Sequence, residues 1–370
     1  MKVLHLYAGN LFGGIETLLV TLARERHLCP GMEPQFALCF PGRLAHELIS
    51  TGVKVHELGA VKLRYPWQVL HARAQLQAVI ESEAIDVVIC HACWSQAIFG
   101  TVVKRLGKKL YFWCHDTPSG KSSLERLAKL VRPDFVIVNS HFTEQHLHLL
   151  YPHTQSQVIY APVVPTQFEH PQAIRQQIRQ QLDTPNDTVV ITQVSRLERW
   201  KGHTLLISAL GSMKDLPNWE CWIVGGVQRE SEQSYRQELA QQLQELGLEQ
   251  RVRWLGQRND VPQVLAASDI FCQPNLGAEP FGIVFIEALY AGLPVVTVKM
   301  GGGGEIVTPE CGYAVPQGDV MAVKMALEDL VKNPVHRHQL QVAAKARARD
   351  LCDPQRQIDR LRAILQHFSL

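Results

Sequence analysis

The sequence predicts an α/β protein made of two doubly wound, parallel-sheet domains in tandem. Three observations point there. Short apolar runs alternate with helical periodicity from the first residue onward. That rhythm stops once, at Ala161-Pro162-Val163-Val164-Pro165, and then restarts. And 370 residues with 46% hydrophobic content are enough for two cores.

Taken in order, the runs at 3–7, 35–39, 54–57, 87–90, 110–113, 135–138 and 158–160 read as buried strands. Helical patterns at 16–26, 67–81, 95–106 and 141–150 separate them. Alternation of this kind implies a parallel sheet covered on both faces. The proline-rich break cannot continue a helix, and a polar, Gln-rich helix at 172–182 follows it. A second series then runs through strands at 188–194, 221–224, 252–255, 270–273, 295–298 and 313–315. The predicted domains are therefore 1–165 and 166–350. A last segment, 351–370, carries a strong helix at 355–368 with no further strand after it, and is expected to pack back on the first domain. Ligands of such sheets bind outside the carboxyl ends of the strands, so two such domains are expected to face each other across an active-site cleft.

Composition narrows the function classes. The formal charge is only +2, which makes no general case for nucleic acid. Residues 1–165 hold 16 Lys+Arg and 12 Asp+Glu (+4), and the remainder 21 and 23 (−2). Within 104–132 eight basic residues stand against two acidic ones. This is either a solvated helical face or a shallow patch that touches an anionic membrane or lipid phosphate. The nine cysteines are scattered and mostly in apolar runs, the pattern of reduced cytosolic thiols. Cys90-His91-Ala92-Cys93 matches C-x-x-C, but no second ligand pair follows at zinc spacing. The N-terminus is too short for a signal peptide and no run of 18 apolar residues occurs, so a cytoplasmic protein, at most peripheral to a membrane, is expected.

Five constellations carry chemistry. In Glu279-Pro280-Phe281-Gly282-Ile283-Val284-Phe285-Ile286-Glu287, two carboxylates stand eight positions apart, and apolar spacing predicts a helix starting just after Gly282. The free N–H groups of such a helix start favour an anion, while carboxylates accept hydrogen bonds from sugar hydroxyls. Arg196 and Lys201 bracket a loop after the first strand of the second domain, where a guanidinium fork and a mobile ammonium suit a diphosphate. Gly225-Gly226 is a weaker companion. Gly13-Gly14-Ile15-Glu16 follows the first strand without matching the G-x-G-x-x-G fingerprint, which argues against a nicotinamide dehydrogenase. His91 and the pair His115-Asp116 close two neighbouring strands and are expected to project from their carboxyl ends. Gly301-Gly302-Gly303-Gly304-Glu305 reads as a flexible turn where backbone approaches something closely.

Together these residues resemble the retaining glycosyltransferases of family 4 (glycosyl transferases group 1), which have the GT-B fold of two facing Rossmann-like domains. The most specific part is the E-x7-E segment, here EPFGIVFIE. The Gly-Gly-x-Glu loop, the Arg196/Lys201 pair and the approach Asp260-Val261-Pro262…Ala267-Ser268-Asp269 are also similar. The chain departs from the family at the domain junction, reading Tyr160-Ala161-Pro162-Val163-Val164 where Asn-Gly-Val-Asp is frequent.

The resemblance implies that Arg196 and Lys201 bind the donor diphosphate. It implies that Glu279 holds donor-sugar hydroxyls, that Phe281, Gly282 and Ile283 make main-chain contacts, and that Glu287 binds the ribose. Gly14 would lie near the phosphates or acceptor, and His115 beside the donor sugar. It further implies a metal-independent, retaining hexosyltransferase with no cofactor beyond its nucleotide-diphosphate sugar, serving cell-surface polysaccharide or glycolipid synthesis. The acceptor would be a glycan, a lipid-linked sugar or a small molecule, with Asn10, His91 and Trp94 as candidate contacts. Membrane contact would run through 104–132. The alternatives are a sugar-nucleotide epimerase on the same fold and a nucleotide-sugar-binding subunit without catalysis. Donor base, donor sugar and linkage are not readable from the residues.

Overall fold

The computed structural model describes residues 1–9, 12–227 and 229–367. The chain divides into two compact units, Met1–Val164 joined by the segment from Cys352 onward, and Pro165–Leu351.

The first unit is one parallel seven-stranded sheet. Its strands are β1 (Lys2–Tyr7), β2 (Glu33–Leu38), β3 (Val55–Glu57), β4 (Val87–His91), β5 (Lys109–Cys114), β6 (Phe135–Val138) and β7 (Ser156–Val158). They lie in the order β3-β2-β1-β4-β5-β6-β7. Strand residues such as Leu4, Ile89, Phe112 and Ile137 are fully buried, which is why these runs lack the in–out alternation of a one-faced sheet. The last strand sits two residues earlier than the sequence suggested. Val158 pairs with Val138, the last residue of β6, and the Ile159 N–H donates to the Val138 carbonyl at 2.9 Å where the ladder ends. The terminal helix Pro354–His367 belongs to this unit: Val163 N–H donates to the Cys352 carbonyl at 3.0 Å, and the Gln355 amide to Leu28 O at 3.3 Å.

The second unit is a parallel six-stranded sheet of β8 (Val189–Val194), β9 (Trp219–Val224), β10 (Val252–Gly256), β11 (Ile270–Cys272), β12 (Val295–Val298) and β13 (Gly312–Val315). The order is β10-β9-β8-β11-β12-β13. Trp219 and Trp222, both on β9, are buried in two separate core clusters. At the amino end of β11, Asp269 pairs with Arg179 at 2.6 Å and Arg175 at 2.8 Å and accepts the Val190 N–H at 2.8 Å. The Ala267-Ser268-Asp269 approach is thus a clamp for the helix Pro171–Gln181, at the end of the strand away from the candidate chemistry.

Both sheets are doubly wound. Strand order reverses between β1 and β4 in the first and between β8 and β11 in the second. Loops leaving the carboxyl ends of those strands open a crevice at each switch point, where α/β sheets bind ligands.

No helix among the described residues is long and apolar enough to cross a membrane. None of the nine cysteines forms a disulfide.

Candidate functional site

At the switch point of the second unit, the loop after β8 carries Arg196 and Lys201, and the loop after β11 carries Glu279. The two loops touch. Leu276 N–H donates to the Trp200 carbonyl at 2.7 Å, and Lys201 Nζ lies 2.5 Å from Glu279 Oε2. The ammonium also sits 3.8 Å from the centre of the Trp200 ring, a cation–π contact that holds it without neutralising it.

Local chemistry forces this geometry. Arg199–Lys201 forms a single 3-10 turn that ends at Gly202, whose φ of 75° is left-handed. A Cβ there would come within 1.9 Å of Pro274 O, so only glycine lets the two loops close on each other. The Gln193 amide donates to Lys201 O at 2.8 Å and ties the turn to the end of β8. Arg196 is half-buried and pairs with Glu198 at 3.1 Å, which in turn accepts the Trp200 indole N–H at 3.0 Å.

The helix expected after Gly282 is present as Ile283–Tyr290, with Gly282 capping it at φ 95°. Its first N–H groups, including that of Ile283, have no intrahelical acceptor, while the Phe281 side chain is buried and anchors the turn. Glu279 is buried and lies one loop before this start; Asn275 Nδ2 approaches its Oε2 at 3.5 Å. Glu287 stands on the second turn of the helix, half-buried, and burial pushes its carboxyl up to about 7.

The four glycines read as a flexible turn are instead the start of a helix, Gly301–Ile306. What approaches them is the Glu279 loop itself. Gly302 N–H donates to Glu279 O at 2.7 Å, and a Cβ on Gly302 would meet Phe281 Cα at 2.4 Å. The glycines serve protein packing that shapes the loop, and Gly225 does the same for Ser195, whose carbonyl a Cβ would meet at 1.9 Å.

In the first unit, Gly14 opens the helix Gly14–Arg24, and Glu16 closes the loop before it by accepting Gly13 N–H and Tyr7 O–H, each at 2.8 Å. His115 follows β5 and lines a small pocket with Cys93, Asp116, Pro118 and Glu125. Burial holds its imidazole down at about 3 and raises the Asp116 carboxyl. His91 does not project. It is fully buried, hydrogen-bonded on both sides to His5 and His115. Trp94 is partly buried against the first unit's core beside Phe40. Asn10 lies outside the described residues.

Sequence reasoning passed over Asn275, Trp200 and His203. His203 Nε2 meets Ser195 Oγ at 3.1 Å behind the Arg196 loop and is held neutral by burial, down to about 3. Local pattern carries no sign that this histidine turns inward, where it is fully buried.

Known proteins share this plan. The model for "Glycosyl transferases group 1" matches residues 174–347, and that for "Glycosyltransferase Family 4" matches 12–167. The chain is 37% identical over 152 residues to the phosphatidyl-myo-inositol mannosyltransferase of Mycobacterium leprae, covering 40% of this chain and 38% of that one. It is 25% identical over 342 residues to human alpha-1,3/1,6-mannosyltransferase ALG2, covering 85% and 80%. The chain spans less than half the length of several curated relatives that it matches. Among solved structures, Anabaena Alr3699/HepE in complex with UDP superposes with a TM-score of 0.86 at 25% identity, covering 99% of this chain and 100% of that one. The expected GT-B fold class is borne out by that likeness and by the two parallel-sheet units. On the two family models, which between them take in most of both units, the chain belongs to the family 4 glycosyltransferases of the group 1 type.

Proposed function

We propose that the protein transfers a hexose from a nucleoside-diphosphate sugar to a hydroxyl of a glycan or lipid-linked acceptor, with retention and without a metal. The observation that carries this reading is the meeting of Lys201 and Glu279 at the switch point of the second sheet. A cation for the diphosphate and a carboxylate for sugar hydroxyls stand there side by side, beside a helix start. Arg196 and Lys201 take the diphosphate, Glu279 the sugar hydroxyls, and Glu287 the ribose. Gly282 and Ile283 offer main-chain N–H groups, and His115 donates to a ligand hydroxyl. The solved relative in complex with UDP supports the donor class, and the phosphatidyl-myo-inositol mannosyltransferase and the alpha-1,3/1,6-mannosyltransferase support sugar transfer to a lipid-linked or glycan acceptor.

In the transfer, the bond from the anomeric carbon to the diphosphate oxygen breaks and a bond to the acceptor oxygen forms on the same face. The acceptor proton passes to the leaving diphosphate. Negative charge grows on that leaving group, so fixed cations stabilise the transition state more than the ground state.

The acceptor reading includes contact with the cytoplasmic face of a membrane. The helix Ser123–Ala128 and the residues after it expose Leu127 (43%) and Leu130 (79%) among Arg126, Lys129 and Arg132. An epimerase would share the nucleotide site but release a sugar nucleotide with no acceptor bond formed.

A thermal-shift panel of UDP, GDP, ADP and their sugars, with and without Mg²⁺, tests the reading. One nucleotide series is expected to raise the melting temperature equally with and without the ion. No shift at millimolar ligand overturns it.

A further inference from the structure

Three histidines on three adjacent strands form a continuous chain inside the first unit. His5 (β1) Nδ1 lies 3.0 Å from His91 (β4) Nε2, and His91 Nδ1 lies 2.9 Å from Nε2 of His115, just beyond β5. The His91 and His115 rings are within 10° of parallel, and Trp113 lies nearly parallel to both. His5 stacks on Phe36. Ala92, directly after His91, holds φ at 64°, a strained value for a residue with a Cβ that turns the chain from β4 straight into the helix Ala92–Arg105. The backbone thus fixes the middle ring, and its neighbours fix the plane.

Burial keeps all three rings neutral, and the flanking imidazoles add to the effect on His91. Three neutral imidazoles have six nitrogens and three N–H protons. Each of the two contacts needs one proton, because two lone pairs or two N–H groups repel. One proton remains, and it must sit at one end of the chain. The inner end, His5 Nε2, is sealed with no partner among the described residues. The outer end, His115 Nδ1, also has no partner among the described residues, yet it is not sealed and belongs to a residue lining the pocket.

A proton at the inner end leaves a buried N–H unsatisfied, whereas at the outer end water or a ligand accepts it. Orphaned buried N–H groups are rarer than orphaned acceptors. We propose that His5 and His91 are positioning residues that hold His115 as its Nδ1–H tautomer, a fixed neutral donor for an oxygen of the ligand. Donation then runs one way, from His5 to His91 to His115. The sealed inner end also has no outlet for a proton, so the chain sets a direction and does not shuttle. The ligand side of this inference rests on the sugar-transfer reading above; the tautomer itself does not.

Long-range 1H–15N correlation spectra of the full chain labelled with 15N-histidine read each ring's tautomer directly, with His115→Gln assigning the resonance. The expected result is Nδ1–H at His115 in the ligand-free protein. In His5→Phe the first donor is gone and His115 becomes a mixture of tautomers. In His5→Asn, whose amide can donate near the Nδ1 position, the wild-type pattern returns. Nε2–H at His115 in the wild type, or an unchanged His115 pattern in His5→Phe, overturns the proposal. In acceptor-free donor cleavage, His5→Phe is expected to lower kcat about tenfold with KM within about twofold. Equal kcat alongside mixed tautomers overturns the use of that donor in turnover. If no nucleotide sugar is cleaved at all, the transfer reading fails while the spectra still decide the tautomer.

Discussion

Lys201 and Glu279 come from different crossover loops of one sheet and meet at 2.5 Å, each with 12% of its side chain exposed. Neither charge is placed by its own loop alone. The left-handed turn at Gly202 lets one loop close on the other, and the glycines at 301 and 302 let a third backbone segment support the Glu279 side.

Removing one charge of this pair leaves the other buried. Lys201→Met is expected to slow turnover by roughly 10²–10³-fold and to destabilise the protein by about 2 kcal/mol. Lys201→Met with Glu279→Gln should recover most of the stability and none of the turnover. Urea denaturation and steady-state rates on the four proteins of the cycle check this. A double variant whose loss of stability equals the sum of the two single losses would show that the pair is not coupled.

Gly302→Ala places a Cβ 2.4 Å from Phe281 Cα and O. The Glu279 loop must shift, and affinity for the bound nucleotide sugar is expected to fall at least about tenfold although residue 302 is assigned no ligand contact. Gly31→Ala, with nothing within 4 Å and no left-handed φ, is the control and should bind normally. Calorimetric titration separates the two.

Glu287 predicts a pH effect of definite sign. Its folded carboxyl is raised by burial to about 7 from an unfolded value of 4.5. The stability it contributes is therefore fully present below 4.5 and lost as pH rises through 7. Glu287→Gln removes that loss. Relative to wild type the variant should be equally stable at pH 4 and more stable at pH 8.5, by on the order of 1–3 kcal/mol. Urea midpoints at the two pH values measure it. A constant difference across the range would contradict the burial argument.

The patch around Leu127 and Leu130 should sediment the protein with anionic vesicles at low salt and release it at high salt. Replacing Arg126 and Lys129 by Gln should weaken binding by about 1 kcal/mol per charge. Vesicles of phosphatidylcholine alone are the comparison. Equal sedimentation with both lipids, or none with either, would leave 104–132 as a solvated face.

Much of this was legible in the residues because α/β strands buried on both faces write themselves as continuous apolar runs. Phe135–Val138 and Val295–Val298 match to the residue. Glu279, Gly282 and the helix after it were equally legible, since a glycine before an apolar period of 3.6 marks a helix start. Two things were not. The glycines at 301–304 signalled close approach, but sequence alone does not say whether a ligand or another loop approaches, and here it is the Phe281 backbone. His91 ends a strand and looked available for a ligand. Its burial depends on His5 and His115, residues 86 and 24 positions away, and local pattern carries no trace of such a contact.

The proposed transfer requires the Arg196–Lys201 loop and the Glu279 loop together to hold a nucleoside-diphosphate sugar for cleavage at its anomeric carbon. Phosphorus-31 and proton NMR of the protein with UDP- and GDP-hexoses and no acceptor tests it most directly. Slow release of one nucleoside diphosphate is expected, with the sugar appearing first in the donor's own anomeric configuration, and that release is expected to be lost in Lys201→Met and Glu279→Ala. Release that survives both substitutions, or a sugar that appears first in the inverted configuration, would contradict it.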